Sequence, residues 1–221
     1  GLSPASRNRY KAALSRVFTV ARHRWQWASS NPLSSIQREQ EPQVRVRWLS
    51  DDERTALLGA CSASRAKSLY PFVLTALRTG ARQGSIEQLM WRDVDFERRE
   101  LVFQKTKAGL RVRSHISADL LEALRVWGRV RSISDHRVFG SFPRTAWRTA
   151  LRDSGVRNFR FHDLRHTCAS YMVQAGATPS QIMEQLGLKT MQIVTKYAHL
   201  APGHSDALLE RISNEQTREG R

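Results

Sequence analysis

A histidine and an arginine stand three residues apart in the segment His162-Asp163-Leu164-Arg165-His166. Positions i, i+3 and i+4 of a helix share one face, so His162 and Arg165 can point at one target, with His166 close by. Arginine supplies a fixed positive charge, and histidine can donate a hydrogen bond or accept a proton. The pair therefore suits an anionic oxygen. Taken alone, the segment fits a surface ion-pair cluster around Asp163 at least as well.

A second arginine follows a glycine in Thr79-Gly80-Ala81-Arg82. The glycine lets the chain turn sharply after an apolar helix, and Arg82 then stands at the start of the next helix. Free backbone N–H groups and the helix dipole at such a start also favour an anion. The alternative is a plain corner between two helices with a solvated arginine.

A lysine stands at the tip of a predicted hairpin, in Lys107-Ala108-Gly109. Lysine at a hairpin tip is usually solvated turn chemistry. The tip could also reach into a DNA groove and deliver a proton, and Lys105 is the rival candidate for that role.

Tyr197 lies near the end of a predicted helix, in Lys196-Tyr197-Ala198-His199-Leu200. A tyrosine in such a place is more often a half-buried packing residue. Because the unperturbed pKa of tyrosine is near 10, a nucleophilic tyrosine needs cationic surroundings. The two arginines and the hairpin lysine could supply them.

The charge balance indicates a polyanionic partner. The 221 residues carry a formal net charge of +16, and 40% of them are hydrophobic, enough for a folded core. Arginine outnumbers lysine, and guanidinium groups bind phosphate in bidentate fashion. The excess therefore favours nucleic acid or an anionic membrane surface.

Other sequence features point to a protein of the cytoplasm. No run of about 18 apolar residues could span a bilayer, and no signal-peptide pattern opens the sequence. Cys61 and Cys168 lie far apart in apolar surroundings, without metal-ligand spacing, and are expected to be reduced core thiols.

The elements that must position these residues are mainly helical. Apolar periodicity and capping residues predict helices at about 6–28, 51–62, 67–79, 84–91, 118–130, 143–154, 162–175, 179–186, 190–197 and 203–213. Alternation predicts short strands at about 93–96, 100–104 and 111–116. The predicted fold class is therefore mainly α with a small antiparallel β-sheet (α+β).

The order of the motifs is more specific than any one of them. A Thr-Gly-x-Arg turn, a hairpin lysine, a His-x-x-Arg-His helix, a Leu-Gly pair and a late tyrosine together resemble the tyrosine recombinase (phage integrase) family. The segments that carry the resemblance are Thr79–Gly84, Leu89–Asp95, Phe161–Thr167, Gln185–Gly187 and Tyr197–Pro202. The resemblance implies the DNA breaking-rejoining enzyme fold for a catalytic domain at 48–213. It also implies the C-terminal part of a helical (SAM-like) core-binding domain at 1–40, a linker at 41–47 and a loose tail at 214–221.

The resemblance implies a role for each motif residue. Arg82 and Arg165 would clamp the non-bridging oxygens of the scissile phosphate, and His162 would hydrogen-bond the phosphate and assist proton transfer. Lys107 would protonate the leaving 5′ oxygen. Tyr197 would be the nucleophile that forms a 3′-phosphotyrosyl link. Because the link preserves the bond energy, no cofactor and no metal are expected.

Two positions depart from the family pattern. Ser85 stands where the family usually has Glu or Asp, so the site lacks a buttress unless Glu87 replaces it. Leu188 stands where the family usually has His or Trp, and leucine cannot donate the expected hydrogen bond. His199 and His166 are possible substitutes for that donor.

The function implied is a site-specific recombinase or integrase, encoded by a bacterium or phage, that acts on double-stranded DNA. Four copies would assemble on two duplexes, with a monomer as the alternative without DNA, and 203–213 would pass to a neighbouring copy. A type IB topoisomerase-like nicking-closing enzyme and a non-catalytic DNA-binding relative stay open as alternatives. The residues expected to contact DNA are Arg7, Arg9, Lys11, Arg111, Arg113 and His166.

Overall fold

The computed structural model describes residues 1–41, 47–104, 111–130, 136–188, 190–191 and 194–200. The chain divides into two compact units, Gly1–Arg45 and Val46–Arg221. The division falls in the predicted linker, 41–47, most of which lies outside the described residues. Nowhere in the described part is a helix both long and apolar enough to cross a bilayer.

The first unit is built on one helix, α1 (Pro4–Val20). The Ser3 hydroxyl accepts a hydrogen bond from the backbone N–H of Ser6, so it caps the free donors of the first turn. At its far end the helix widens into a π-helical turn, Ala21–Trp25. Gln26, with a φ of 56°, then breaks it. The helix predicted to reach residue 28 therefore ends earlier, because Gln26 leaves the right-handed helical region.

A polar network ties the end of this unit to α1. The buried Asn8 side chain donates to the backbone carbonyl of Glu39 and to the Glu41 carboxylate, and it accepts from the Glu39 N–H. Arg7 forms a two-point ion pair with the Glu39 carboxylate at 2.5 Å. The Lys11 amine donates to the carbonyl of Ile36. Two of the cations expected to meet DNA are therefore held within the unit.

The second unit is mainly helical. Its helices are α2 (Asp51–Ser62), α3 (Leu69–Thr79), α4 (Gln83–Glu87), α5 (Ala118–Val130), α6 (Arg144–Asp153), α7 (Asp163–Gln174) and α8 (Pro179–Leu186), followed by a 3₁₀ turn at Thr195–Leu200. Ser50 and Glu53 form a reciprocal capping box at the start of α2. The helix predicted at 190–197 is replaced, where the structure describes it, by the 3₁₀ turn.

A three-stranded antiparallel sheet interrupts the helices. Its strands are β1 (Val94–Asp95), β2 (Glu100–Phe103) and β3 (Val112–His115), in the order β1-β2-β3. Leu101 pairs with Val94 on one side and with Ser114 on the other. The predicted fold class, mainly α with a small antiparallel sheet, is confirmed.

The predicted helix at 84–91 is too long. α4 ends at Glu87, and the chain then turns to pair with a distant segment. The Leu89 carbonyl accepts a hydrogen bond from the Val138 N–H, and Met90 forms an antiparallel bridge with Arg137. These extended pairings are incompatible with a helical continuation.

Helix α3 runs through the core, which explains why its sequence is apolar almost all round. Phe72 is fully buried and lies 5.1 Å, between ring centroids, from both Phe139 and Phe142. Phe142 in turn makes an edge contact with Phe161 at 4.6 Å. This aromatic cluster supports the segment that leads into α7, and α7 carries the histidine and arginine of the candidate site.

Candidate active site

The turn after α3 places Arg82. Gly80 has a φ of +63°, and a Cβ added there would lie 2.1 Å from the Leu186 side chain. Only glycine fits both the left-handed backbone and this close approach. The chain can therefore fold back at once, and half-buried Arg82 stands immediately before α4.

Arg165, in the first turn of α7, is the most constrained cation of the site. Its side chain is 8% exposed, and its Nη1 donates to the Gly80 carbonyl at 2.6 Å. Its Nη2 is buried and has no hydrogen-bond partner among the described residues. Burial, and then the nearby charge of Arg82, lower the pKa of Arg165 to about 10, although Tyr197 opposes that change. A buried donor without a partner is costly, so this nitrogen is available for an acceptor that the described residues do not supply.

Arg82 and Arg165 share one small pocket with Ser85. A carboxylate that stabilises the arginines is absent there, because no described carboxylate forms an ion pair with either of them. Glu87 does not replace it, because its Oε1 accepts hydrogen bonds from the Phe142 N–H and from Gln83. The pocket therefore holds two cations without a counter-charge from the described chain.

His162 stands directly before α7, with its ring 5.4 Å from that of His166 at a near-perpendicular angle. Partial burial and then the charge of Arg165 lower the pKa of His162, while Asp163 partly offsets them. The imidazole is therefore largely neutral at neutral pH. The ion-pair cluster around Asp163 is not observed, because its carboxylate accepts the Arg160 N–H and pairs with no described cation.

Tyr197 lies in the 3₁₀ turn and is 2% exposed. Its hydroxyl lies 2.5 Å from Nδ1 of His166. Burial raises the pKa of Tyr197 to about 12, although the positive charge of Arg165 opposes this. Leu188 packs against the same apolar cluster, which explains a leucine there. The hydroxyl is thus protonated at neutral pH and hydrogen-bonded to His166.

Helix α8 is joined to both parts of the chain that surround the pocket. The Gln185 side chain donates to the carbonyl of Arg78 at the end of α3 and accepts from the His115 N–H at the end of β3. Its own carbonyl accepts the Ser114 hydroxyl. No local sequence signal marks this role of Gln185, because its partners are 70 to 107 residues away.

The structure thus brings four predicted site residues, Arg82, His162, Arg165 and Tyr197, into one electrostatically coupled group. The contact of His166 with Tyr197 was not anticipated, and no sequence signal marks it. Lys107, its rival Lys105, and the side chain of His199 lie outside the described part of the chain.

The remaining residues expected to meet DNA lie at the surface. Arg9 and Arg111 are exposed, and Arg113 is 3.8 Å from the Glu100 carboxylate while its side chain stays 72% exposed. Within the described ranges, no group of three or more His, Cys, Asp or Glu side chains is arranged to hold a metal ion.

Comparison with known proteins gives a match to a family model described as the phage integrase family, over residues 47–204. The integrase of Salmonella phage P22 is 30% identical over 90% of this chain and 55% of its own length. The shufflon-specific DNA recombinase of Escherichia coli is 28% identical over 86% of this chain and 49% of its own. The chain thus spans about half the length of these curated relatives.

Solved structures show the same architecture. The catalytic domain of bacteriophage HP1 integrase superposes with a TM-score of 0.65 at 26% identity, over 75% of this chain and 95% of that domain. The Tn1549 transposon integrase, in complex with transposon right end DNA, gives a TM-score of 0.78 at 17% identity, over 96% and 81% of the two chains. These likenesses confirm the fold expected from the sequence motifs.

Proposed function

The chain belongs to the phage integrase family, and from that membership we propose that it is a site-specific recombinase that cuts and rejoins duplex DNA. The observation that carries the proposal is the buried Nη2 of Arg165, a guanidinium donor without a partner in the described chain. It lies in the pocket shared with Arg82. A phosphodiester offers two non-bridging oxygens, which match two adjacent guanidinium groups.

The proposed reaction uses the site as follows. Arg82 and Arg165 bind the scissile phosphate and offset the charge that builds up as a fifth oxygen approaches phosphorus. His162 donates a hydrogen bond to the same phosphate. The Tyr197 oxygen attacks, and the 5′ oxygen leaves with a proton from Lys107. The 3′-phosphotyrosyl ester keeps the energy of the broken bond, so a 5′ hydroxyl can reverse the step.

The proposed organisation follows the family. Residues 48–213 would form the catalytic domain and 1–40 the end of a core-binding domain, joined by 41–47. Double-stranded DNA would be the partner, and four copies would act on two duplexes. Ser85 and Leu188 predict a slow enzyme, because the described site lacks the carboxylate and the hydrogen-bond donor that the family pattern leads one to expect there.

Covalent capture tests the proposal. A pool of nicked duplexes with a randomised central segment is incubated with the protein, so that cleavage releases a short fragment and traps the enzyme. We expect a covalent protein–DNA band that disappears in Tyr197→Phe. Tyr197→Phe should bind the selected duplex with unchanged affinity, which shows that the variant is folded.

Two outcomes would contradict the proposal. DNA binding without any covalent band would indicate a non-catalytic relative. Tyr197-dependent relaxation of supercoiled plasmid, without exchange between two captured duplexes, would indicate a nicking-closing enzyme of the type IB topoisomerase kind.

A further inference from the structure

We propose that His166 accepts the proton of the Tyr197 hydroxyl when the DNA strand is cut. The inference rests on the proposed function, because it assigns the base for the proposed nucleophile. It gives a catalytic role to a histidine first expected to contact DNA or to replace a missing hydrogen-bond donor.

The geometry is direct. The Tyr197 oxygen and Nδ1 of His166 are 2.5 Å apart, and the ring centroids are 5.9 Å apart. A neutral imidazole with its hydrogen on Nε2 presents a lone pair at Nδ1, to which the phenol can donate. His166 directly follows Arg165 in α7, so the base and the proposed phosphate ligand are fixed by the same helical turn.

The surroundings keep this imidazole neutral. The groups that face it are His162 directly before α7, Asp163 and Arg165 on α7, and Lys196 and Tyr197 on the 3₁₀ turn. Burial lowers the pKa of His166 most, and the neighbouring cations lower it further, while Asp163 opposes them. At neutral pH the ring is therefore free to take a proton.

The phenol, in contrast, does not ionise unaided. Burial raises the pKa of Tyr197 to about 12, while that of His166 lies below its ordinary 6.5. The ionised tyrosinate–imidazolium pair is therefore strongly disfavoured before the reaction. The proton must therefore move while the oxygen–phosphorus bond forms, which requires an acceptor already in place.

The step balances in both directions. In cleavage the tyrosine oxygen bonds to phosphorus, its proton passes to Nδ1, and the 5′ oxygen leaves with the proton of Lys107. In rejoining, the 5′ hydroxyl returns its proton to the lysine amine as it attacks. The imidazolium of His166 then protonates the departing tyrosine oxygen.

A purely structural role of His166 would give a different experimental result. In that case the imidazole would only satisfy a buried hydroxyl, and any side chain able to accept a hydrogen bond could replace it. His166→Gln makes the distinction, because its carbonyl oxygen can accept the hydrogen bond but not the proton.

The first test is the pH profile of covalent complex formation in a single turnover, measured on the captured duplex. The wild-type rate should rise with pH and level off once His166 is neutral, below its ordinary pKa. His166→Gln should be slower by about 10²- to 10⁴-fold at neutral pH. Its rate should keep rising into the alkaline range, where hydroxide replaces the base.

A His166→Gln rate within about threefold of wild type, with the same pH profile, overturns the inference and leaves the proposed function intact. Absence of a Tyr197-dependent adduct in the wild type overturns both.

The second test needs no DNA. Nitrogen-15 spectra of the histidine rings should place the hydrogen of His166 on Nε2, with Nδ1 unprotonated at neutral pH. Tyr197→Phe should shift the Nδ1 resonance of His166. A hydrogen found on Nδ1 contradicts the base role, whatever the activity of the protein.

Discussion

Replacing Arg165 with methionine separates two effects of its buried guanidinium, which are the binding of phosphate and the cost to the stability of the fold. Methionine has a similar length and no charge, so it fills the space without needing a hydrogen-bond partner. The wild-type side chain is 8% exposed, with one terminal nitrogen satisfied by the Gly80 carbonyl and the other without a described partner. The substitution should therefore abolish phosphate binding and yet make the folded chain more stable.

The size of the expected gain in stability follows from the lowered pKa of Arg165. A fall from 12.5 to about 10 corresponds to about 3 kcal/mol of unfavourable free energy for the charged form in the folded state. Losing a hydrogen bond to a charged group removes about 1.5–3 kcal/mol. The net gain expected for Arg165→Met is about 1 kcal/mol, or a rise in Tm of about 2–4 °C.

The stability difference between the wild type and Arg165→Met should also depend on pH in a definite direction. Because the pKa of Arg165 is lower in the folded than in the unfolded protein, the penalty is present at every pH below about 10. The stability difference between the two proteins should therefore stay constant across the neutral range. It should shrink only as pH rises through 10 toward the unfolded value.

The assay is urea unfolding followed by tryptophan fluorescence. Sodium sulfate, compared with sodium chloride of equal ionic strength, should stabilise the wild type more than Arg165→Met, because only the excess over the general effect of sulfate on folded proteins comes from the site. The matched control is Arg82→Met, which should also lose the extra sulfate effect. It should gain less stability than Arg165→Met, because it only relieves the repulsion between Arg82 and Arg165. A loss of more than about 1 kcal/mol in Arg165→Met would refute the reasoning, because the guanidinium would then stabilise the apo fold.

Three further predictions concern the frame of the site. Gly187→Ala should cost about 2–4 kcal/mol in urea unfolding, because φ is +59° and the new Cβ would lie 2.5 Å from Val112; Val112→Ala should recover part of that loss, and full additivity of the two changes would contradict the contact. Ser85→Glu should raise stability by about 1 kcal/mol and raise the pKa of Arg165, since it places a carboxylate in the arginine pocket; unchanged stability would argue against it. Burial raises the pKa of Cys61 to about 12, so native protein should resist iodoacetamide at mildly alkaline pH until urea unfolds it, and rapid native labelling would contradict this.

The sequence predicts helix ends well where the capping residues are local. Helix α8 has the predicted bounds, because Thr178 and Gln181 cap its first turn and Gly187 ends it in the left-handed conformation. The segment after α4 shows the opposite case. Helix α4 ends where it does because the chain after it pairs with Val138, about fifty residues further along. The local pattern of apolar residues cannot predict that contact.

The candidate site could likewise be predicted only in part from the sequence. Motif order predicts which residues gather, and the structure places Arg82, His162, Arg165 and Tyr197 together. It does not predict how they are bonded, because the hydrogen bonds join residues far apart in sequence. The contact between His166 and Tyr197 spans 31 positions, and that between Arg165 and Gly80 spans 85.

The close contacts that join α8 to α3 and β3 restrict how the sequences of relatives can diverge. The Leu186 side chain occupies the space beside Gly80 where a Cβ would lie, and Val112 occupies the corresponding space beside Gly187. The Gln185 side chain hydrogen-bonds both to β3 and to the end of α3. A change at one of these positions creates a clash or an open hydrogen bond at another. These positions should therefore covary among relatives, and a chimera joined between α7 and α8 should fold only when its two parents carry matching residues at these contacts.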